Sequence, residues 1–216
     1  MPGEIYLWGS GGGACEIRHL IDDLNRSGAD YRIKGLIGLG SRSEYEDLWD
    51  LDHIDMARDG WESMIDSRSL AVVTVGKPEL REKMWAEIER LGLACPVLVH
   101  PSAVVAVTAQ LLPGCVLGPN VTISFSARLE KNVYVSFNAS VGHHSSIGPH
   151  GVISPGARIG GEVTCGPHFF IGLSGVIVPR IKIGSRVSVS AGALVASDLG
   201  DNSRVIEQKS RVLGSL

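Results

Sequence analysis

From Ala103 to Asp198 the chain divides into sixteen consecutive blocks of six residues, and the third position of every block is apolar. Those positions are Val105, Leu111, Leu117, Ile123, Leu129, Val135, Val141, Ile147, Ile153, Ile159, Cys165, Ile171, Ile177, Ile183, Val189 and Val195. The fourth position is Gly in seven blocks: Gly118, Gly142, Gly148, Gly160, Gly166, Gly172 and Gly184. A period of six matches neither the helical repeat nor strand alternation. It predicts a parallel β-helix in which each flat face consumes one hexapeptide, the aliphatic residue points inward and the glycine eases the corner. Three faces make a coil of about eighteen residues, so residues that far apart stack at the inter-strand spacing of about 4.8 Å.

The first hundred residues follow a different pattern. Glu4 to Trp8 reads as a strand that runs into Gly9-Ser10-Gly11-Gly12-Gly13-Ala14 and then a helix from about Cys15 to Arg26. Further strands are expected at Ile33 to Gly38 and Leu70 to Val75, with a helix at Pro78 to Leu91. Strand alternating with helix implies a small parallel α/β unit. Gly40 to Trp61 is polar and weakly periodic and yields no element, and Pro96 to His100 is a short strand or connector. The hexapeptides stop at Asp198, so Leu199 to Leu216 is expected to cap the open end of the solenoid.

A net charge of -3 over 216 residues, with no run of Lys or Arg, argues against nucleic acid as the main partner. The four cysteines, Cys15, Cys95, Cys115 and Cys165, have no CxxC or zinc spacing and read as reduced thiols of a cytoplasmic protein. With no signal peptide and no twenty-residue apolar span, membrane contact is expected to be peripheral at most.

Gly9-x-Gly11-x-x-Ala14 between strand and helix has the shape of a dinucleotide loop, in which bare backbone and a helix N-terminus receive phosphate. The acid that would hold a ribose at the end of the second strand is missing, because that strand ends Leu36-Ile37-Gly38. This argues against a nicotinamide enzyme and leaves two readings: a nucleotide-diphosphate site, or a tight turn that packs the helix on the sheet.

Four histidines fall in the repeat. His150 and His168, eighteen apart at the sixth position of their blocks, should stack. Both follow Gly-Pro corners and are expected to be exposed, and no metal is expected. His143 occupies a fifth position, with Gly161 one coil above and Phe125 one coil below. An imidazole beside a glycine amide offers a general base next to an oxyanion donor. His144 has Glu162 one coil above, as a hydrogen-bonding partner or as an ordinary solvated pair.

Gly9-Ser10-Gly11-Gly12-Gly13-Ala14-Cys15-Glu16-Ile17, His100-Pro101-Ser102-Ala103 and Val141-Gly142-His143 with Ile153-Ser154-Pro155-Gly156-Ala157 resemble segments of the PglD and NeuD type of bacterial sugar O- and N-acyltransferases. The resemblance covers nearly the whole chain. It implies a Rossmann-like α/β domain at 1–98, a left-handed β-helix at 99–198 and a cap at 199–216. It further implies a homotrimer that transfers an acetyl group from acetyl-CoA to an amine or hydroxyl of a sugar, with His143 as base, His144 beside it and Gly161 facing the acetyl carbonyl. Gly161, Ile171, Gly172 and Gly192 would then hold the CoA, and Gly9, Ser10, Gly11, Gly12, Gly13 and Ser136 the nucleotide-linked sugar.

The chain also departs from that family. Gly13 stands in place of a histidine, Gly38 in place of aspartate, His144 in place of an acid, Val152 in place of a second histidine and Ser136 in place of asparagine. A Gly-x-Pro-Ala segment is missing from Val205 to Ser210. Direct transfer is the expected mechanism, with Ser145 and Ser146 as the nearest hydroxyls. Two rivals stand beside it. One is a non-catalytic trimeric nucleotide- or sugar-binding scaffold. The other is a metal enzyme of the β-helical carbonic-anhydrase kind, which His143, His150 and His168 are poorly spaced to support.

Overall fold

The computed structural model describes residues 3–40 and 44–206. Its first part comprises β1 (Gly3–Trp8), α1 (Gly12–Arg26), β2 (Tyr31–Gly38), β3 (His53–Asp55), β4 (Leu70–Val73) and α2 (Pro78–Arg90). The four strands form a parallel sheet in the order β3-β2-β1-β4. Strand alternation gives β1 two buried faces. Ile5 and Leu7 pack with Ala14, Ile17, Leu20 and Ile21 of α1, while Tyr6 and Trp8 pack with Met84, Trp85 and Ile88 of α2.

Two differences from the sequence reading concern short or glycine-rich pieces. α1 begins at Gly12, three residues before the expected start, because the glycine run itself forms its first turn. The stretch without an expected element contains β3 and a single-turn 3-10 helix, Glu46–Leu48, and a second one, Trp61–Met64, begins at its last residue. A three-residue strand leaves no periodicity to read.

The remainder is a parallel β-helix of three sheets built from two-residue strands. One sheet starts at Leu98–Val99 and continues through Val116–Leu117, Tyr134–Val135, Val152–Ile153 and Phe170–Ile171 to Ser188–Val189, in steps of eighteen residues. The hexapeptide spacing ends at Asp198 but the coil does not, since Arg204–Val205 pairs with Ser188–Val189 across a step shortened by two residues. The rest of the expected cap, from residue 207, lies outside the described residues. Inward third positions from Leu117 to Val195 form one continuous buried core, in which Cys165 serves as a small hydrophobe and burial pushes its thiol up. All four cysteines are free.

The corners are made differently from the expectation. Left-handed backbone falls on the sixth position: Asn120, Ser126, Asn132, Asn138, His144, His150, Glu162, His168, Ser174, Arg180 and Arg186, with Gly156 filling the gap. Asn and His tolerate this conformation better than most residues. The fourth-position glycines serve a different end, close stacking: a Cβ on Gly142 would sit 2.5 Å from the backbone of Gly160 and Gly161.

The two parts share one core. The outward residues Leu98, Val116, Tyr134 and Val152 of the first sheet pack into the apolar cluster under α1. Arg81 of α2 is fully buried and crosses to the β-helix, donating to Asn132 O at 3.0 Å and Asn132 Oδ1 at 2.5 Å. Among the described residues no helix is long and apolar enough to cross a membrane.

Candidate functional site

The stacking rule brings His143 and Gly161 together. Nε2 of His143 lies over the bare Cα of Gly161, so that a Cβ there would come within 2.6 Å of it. One coil below, the Phe125 ring is parallel to the His143 ring with centroids 5.1 Å apart. The imidazole is therefore held between an aromatic plane and a glycine, a position that only a residue without a side chain at 161 permits. His143 is half-buried, while His144 and Phe125 are exposed.

Nδ1 of His143 is 3.1 Å from Nδ1 of His144. With one nitrogen donating and the other accepting, His143 can carry its proton on Nδ1 and turn a free Nε2 lone pair toward Gly161. Of the two readings of His144 and Glu162, the hydrogen bond is not formed and both residues are exposed. Glu162 lies 3.4 Å from Arg180, and the His144 ring stands edge-on to Phe125 instead. Ser145 is taken up structurally: its Oγ donates to Gly160 O at 2.9 Å and accepts from Val163 N–H at 3.0 Å, which leaves no free hydroxyl there for nucleophilic attack.

The residues expected on the CoA side divide in two. The Ile171 side chain is fully buried in the prism core, so it can offer a ligand only backbone. Gly172 packs against the backbone of Ser190 and Ala191, and Gly192 makes a left-handed turn with φ 70°.

The glycine loop ends at Gly11, the N-cap of α1, which has no side-chain cap. A Cβ on Gly11 would meet nothing within 4 Å, so this position faces open space. Gly13 is the opposite case: a Cβ would run into the carbonyl oxygen of Thr74, and glycine is needed for α1 to approach β4. Gly9, with φ 130°, is fixed by conformation as well as by contact with Thr74 and Val75. Gly12 faces Tyr45, and Ser10 lies near Gly38.

Gly13 and Ser136 share the walls of a cavity of about 240 Å³ between the two parts of the chain, with Glu16, Gly76, Tyr134 and Ser154. Glu16 accepts a hydrogen bond of 2.5 Å from the Tyr134 hydroxyl across this cleft. The acid missing from β2 is supplied next door. Asp55 of β3 is in register with Gly38, but its Oδ1 accepts from Gly40 N–H at 3.0 Å and Ala57 N–H at 2.9 Å and so holds the turn. Those two N–H donors hold its carboxyl below the ordinary value.

His150 and His168 stack as expected, rings 13° from parallel and 5.3 Å apart, yet both are buried, not exposed. The reason is non-local: α2 covers this edge of the prism, with Trp85 edge-on to His150 at 6.4 Å. Glu82 joins the pair, and the three residues are the one group of potential metal ligands among the described residues. The donor set does not suit a cation. Asn132 Nδ2 donates to His150 Nδ1 at 2.9 Å, an orientation fixed by its second bond to Arg81 O, so the His150 proton resides on Nε2.

Burial above all, and then the neighbouring His168, pushes His150 down to about 4, against about 6.5 for a free imidazole. A depressed folded-state value favours the fold at neutral pH, and that contribution is lost as pH falls from about 6.5 toward 4. Thermal melts should therefore drop over this interval. The decline should be shallower in His150→Phe, which keeps the ring and removes the titration. Equal slopes in the two proteins would show that His150 does not couple the seam to pH.

No protein-family model matches the chain. Solved structures do. The acetyltransferase domain of PglB from Neisseria gonorrhoeae, in complex with acetyl coenzyme A, superimposes with a TM-score of 0.81 at 23% identity over 94% of this chain and 96% of that one. A variant of perosamine N-acetyltransferase from Caulobacter crescentus, in complex with CoA and GDP-perosamine, gives a TM-score of 0.82 at 23% identity over 94% and 92%. WeeI from Acinetobacter baumannii gives 0.81 at 19% over 97% and 99%. Likeness at this identity establishes a common fold over the 94–97% of the chain that these matches cover.

Proposed function

We propose that this protein is an acetyl-CoA-dependent acyltransferase that acetylates an amine or hydroxyl of a nucleotide-linked sugar, with His143 as general base. The observation that carries this reading is the placement of His143 Nε2 over Gly161, sandwiched by Phe125. The fold shared with proteins that hold acetyl-CoA, or CoA with GDP-perosamine, supports it.

Nε2 of His143 takes the proton as the acceptor nitrogen or oxygen attacks the thioester carbon. Nδ1–H of His143, donating to His144 Nδ1, keeps the ring oriented and spreads the positive charge that develops. The tetrahedral oxyanion is received by backbone N–H at Gly161, and collapse expels the CoA thiolate, which takes the proton back from His143 Nε2 and leaves the base neutral. Backbone along Ile171, Gly172 and Gly192 lines the CoA groove. The acceptor's nucleotide lies across the cleft between the glycine loop and Ser136, and α1 presents its uncapped N-terminus to phosphate.

His143 stands at an open corner and the glycine-loop cleft lies against a different edge of the same chain, so one copy alone does not wall an active site. Exposed Phe125, Leu173 and Leu194 on the prism supply apolar surface for a neighbour, and the reading requires a homotrimer with sites between prisms. Light scattering should report three chains; a stable monomer at micromolar concentration would remove the intersubunit site.

Gly11→Val tests the acceptor half. Since its side chain would project into open space, the fold should be untouched, while phosphate approach to the α1 N-terminus is blocked. Calorimetry should show nucleotide-sugar affinity falling about tenfold or more with acetyl-CoA affinity unchanged. A parallel loss of both, or of neither, would make the loop purely structural. A non-catalytic scaffold remains the second reading, favoured by the replacement of an acid at His144.

A further inference from the structure

We propose that the cleft between the α2 N-terminus and the β-helix edge at His168 and Arg186 is a phosphoryl-binding site. It is a cavity of about 210 Å³ that adjoins the glycine-loop cleft through Gly76 and Phe170.

Four features of its walls point to an anion. The first residues of α2, a helix of 13 residues, line the cavity: Leu80 and Arg81 N–H both donate to Lys77 O and Pro78 has no N–H, so Glu79 N–H is the first-turn amide left to a ligand, with Lys77 beside it. Arg186 and Ser188 supply a guanidinium and a hydroxyl from the facing coils. His168, only 8% exposed, lines the same cavity, and neither of its ring nitrogens has a hydrogen-bond partner. Its Nε2 is 3.1 Å from Glu82 Oε2, close but not aligned for a hydrogen bond, and its Nδ1 has no partner of either kind. A buried polar nitrogen left this way is costly, and the residue that carries it forms part of the cavity wall.

The fourth feature is the way Arg81 holds the loop from behind. Its guanidinium donates to Val73 O at 3.1 Å and Val75 O at 3.0 Å, and its remaining bonds go to Asn132, so a fully buried cation is bound by neutral oxygens. Because C=O and the following N–H point opposite ways in a trans peptide, fixing Val75 O turns Gly76 N–H away from Arg81, where Gly76 lines the cleft. A Cβ on Gly76 would meet nothing within 4 Å, so backbone there is open to a ligand. Glu79 is the one carboxylate on the wall. It favours a phosphorylated molecule that also carries a hydroxyl for it to accept, as a nucleotide does.

The site stands on its own walls and does not depend on acyl transfer. Its test is calorimetric titration of the full chain with inorganic pyrophosphate, UDP, GDP and CoA, in wild type, Lys77→Ala, Arg186→Ala and the double variant. Lys83→Ala on the same helix is the control. Lys77 and Arg186 are exposed, so melting should be unchanged. Each single variant should weaken pyrophosphate binding about tenfold and the double variant more, as expected for charge-assisted contacts to phosphate. A loss confined to UDP and GDP assigns the phosphoryl group to the acceptor, and a loss confined to CoA assigns it to the donor. Either upholds the site. Unchanged affinities in the double variant, an equal loss in Lys83→Ala, or no binding of any of the four by wild type would overturn it. Pyrophosphate binding by a protein that transfers no acetyl group would uphold this site while refuting the catalytic reading, so the two failures are separable.

Discussion

Ile159→Asp and Ile171→Asp are each expected to leave no soluble protein. Ile159 and Ile171 are 3% and 0% exposed and belong to the single column of aliphatic residues that fills the prism. Each coil is only one residue deep, so the inner face of one rung rests directly on the next, and an inserted carboxylate would sit among apolar side chains with no cation to pair with. An unpaired buried ion costs several kcal/mol, a large part of the roughly 5–15 kcal/mol that holds a domain together. The stacked coils pass the damage to both neighbours. Expression with the soluble fraction measured by size exclusion checks this. Normal yield and a wild-type melt in either variant would show that the inward phase assigned to the hexapeptides is wrong.

His143→Ala is expected to lower turnover by about a hundredfold to ten-thousandfold, the usual range for loss of a positioned acid–base group. Acetyl-CoA affinity should change little, because the contacts proposed for the thioester are backbone. Gly161→Ala is the companion: its methyl would come within 2.6 Å of Nε2, and the imidazole, being the free end of a side chain, would swing aside instead of the coil unfolding. Turnover should fall with melting preserved. His144→Ala should cost less than His143→Ala, since it removes the ring's partner and leaves the base. A larger loss at His144 would move the base one residue along. Steady-state kinetics on one confirmed acceptor reads all three variants.

The β-helix was legible because its structural period is also a sequence period. Once every sixth residue is aliphatic, inside, outside and the eighteen-residue rung follow, and with them the meeting of His143 and Gly161. The fourth-position glycines are special for a reason other than the corner that the repeat predicts for them. The left-handed corner falls two positions later, on Asn, His and Ser, while the fourth-position glycines make room for the next coil. That distinction gives His143 its weight. His144, His150 and His168 occupy the corner position, where histidine is tolerated on steric grounds, and His143 alone does not.

What was not legible depends on contacts between distant segments. Nothing near His150 and His168 in the chain announces that α2 will cover them. Nothing in the sequence sets Arg81 apart from the other charged residues of α2, yet it is the buried clamp of the seam. The helix-forming content of Pro78 to Leu91 located α2 without locating its partner. Asp55 lay in a strand too short to show alternation, so the acid beside Gly38 was found only through its register.

Release of free thiol from acetyl-CoA, followed against a panel of UDP-, GDP- and dTDP-linked amino sugars, tests the central claim most directly. Acceptor-dependent thiol release is expected with at least one of them, matched by an acetylated sugar of the corresponding mass and abolished to within a few per cent in His143→Ala. Acceptor-dependent release that persists at the wild-type rate in folded His143→Ala would contradict it.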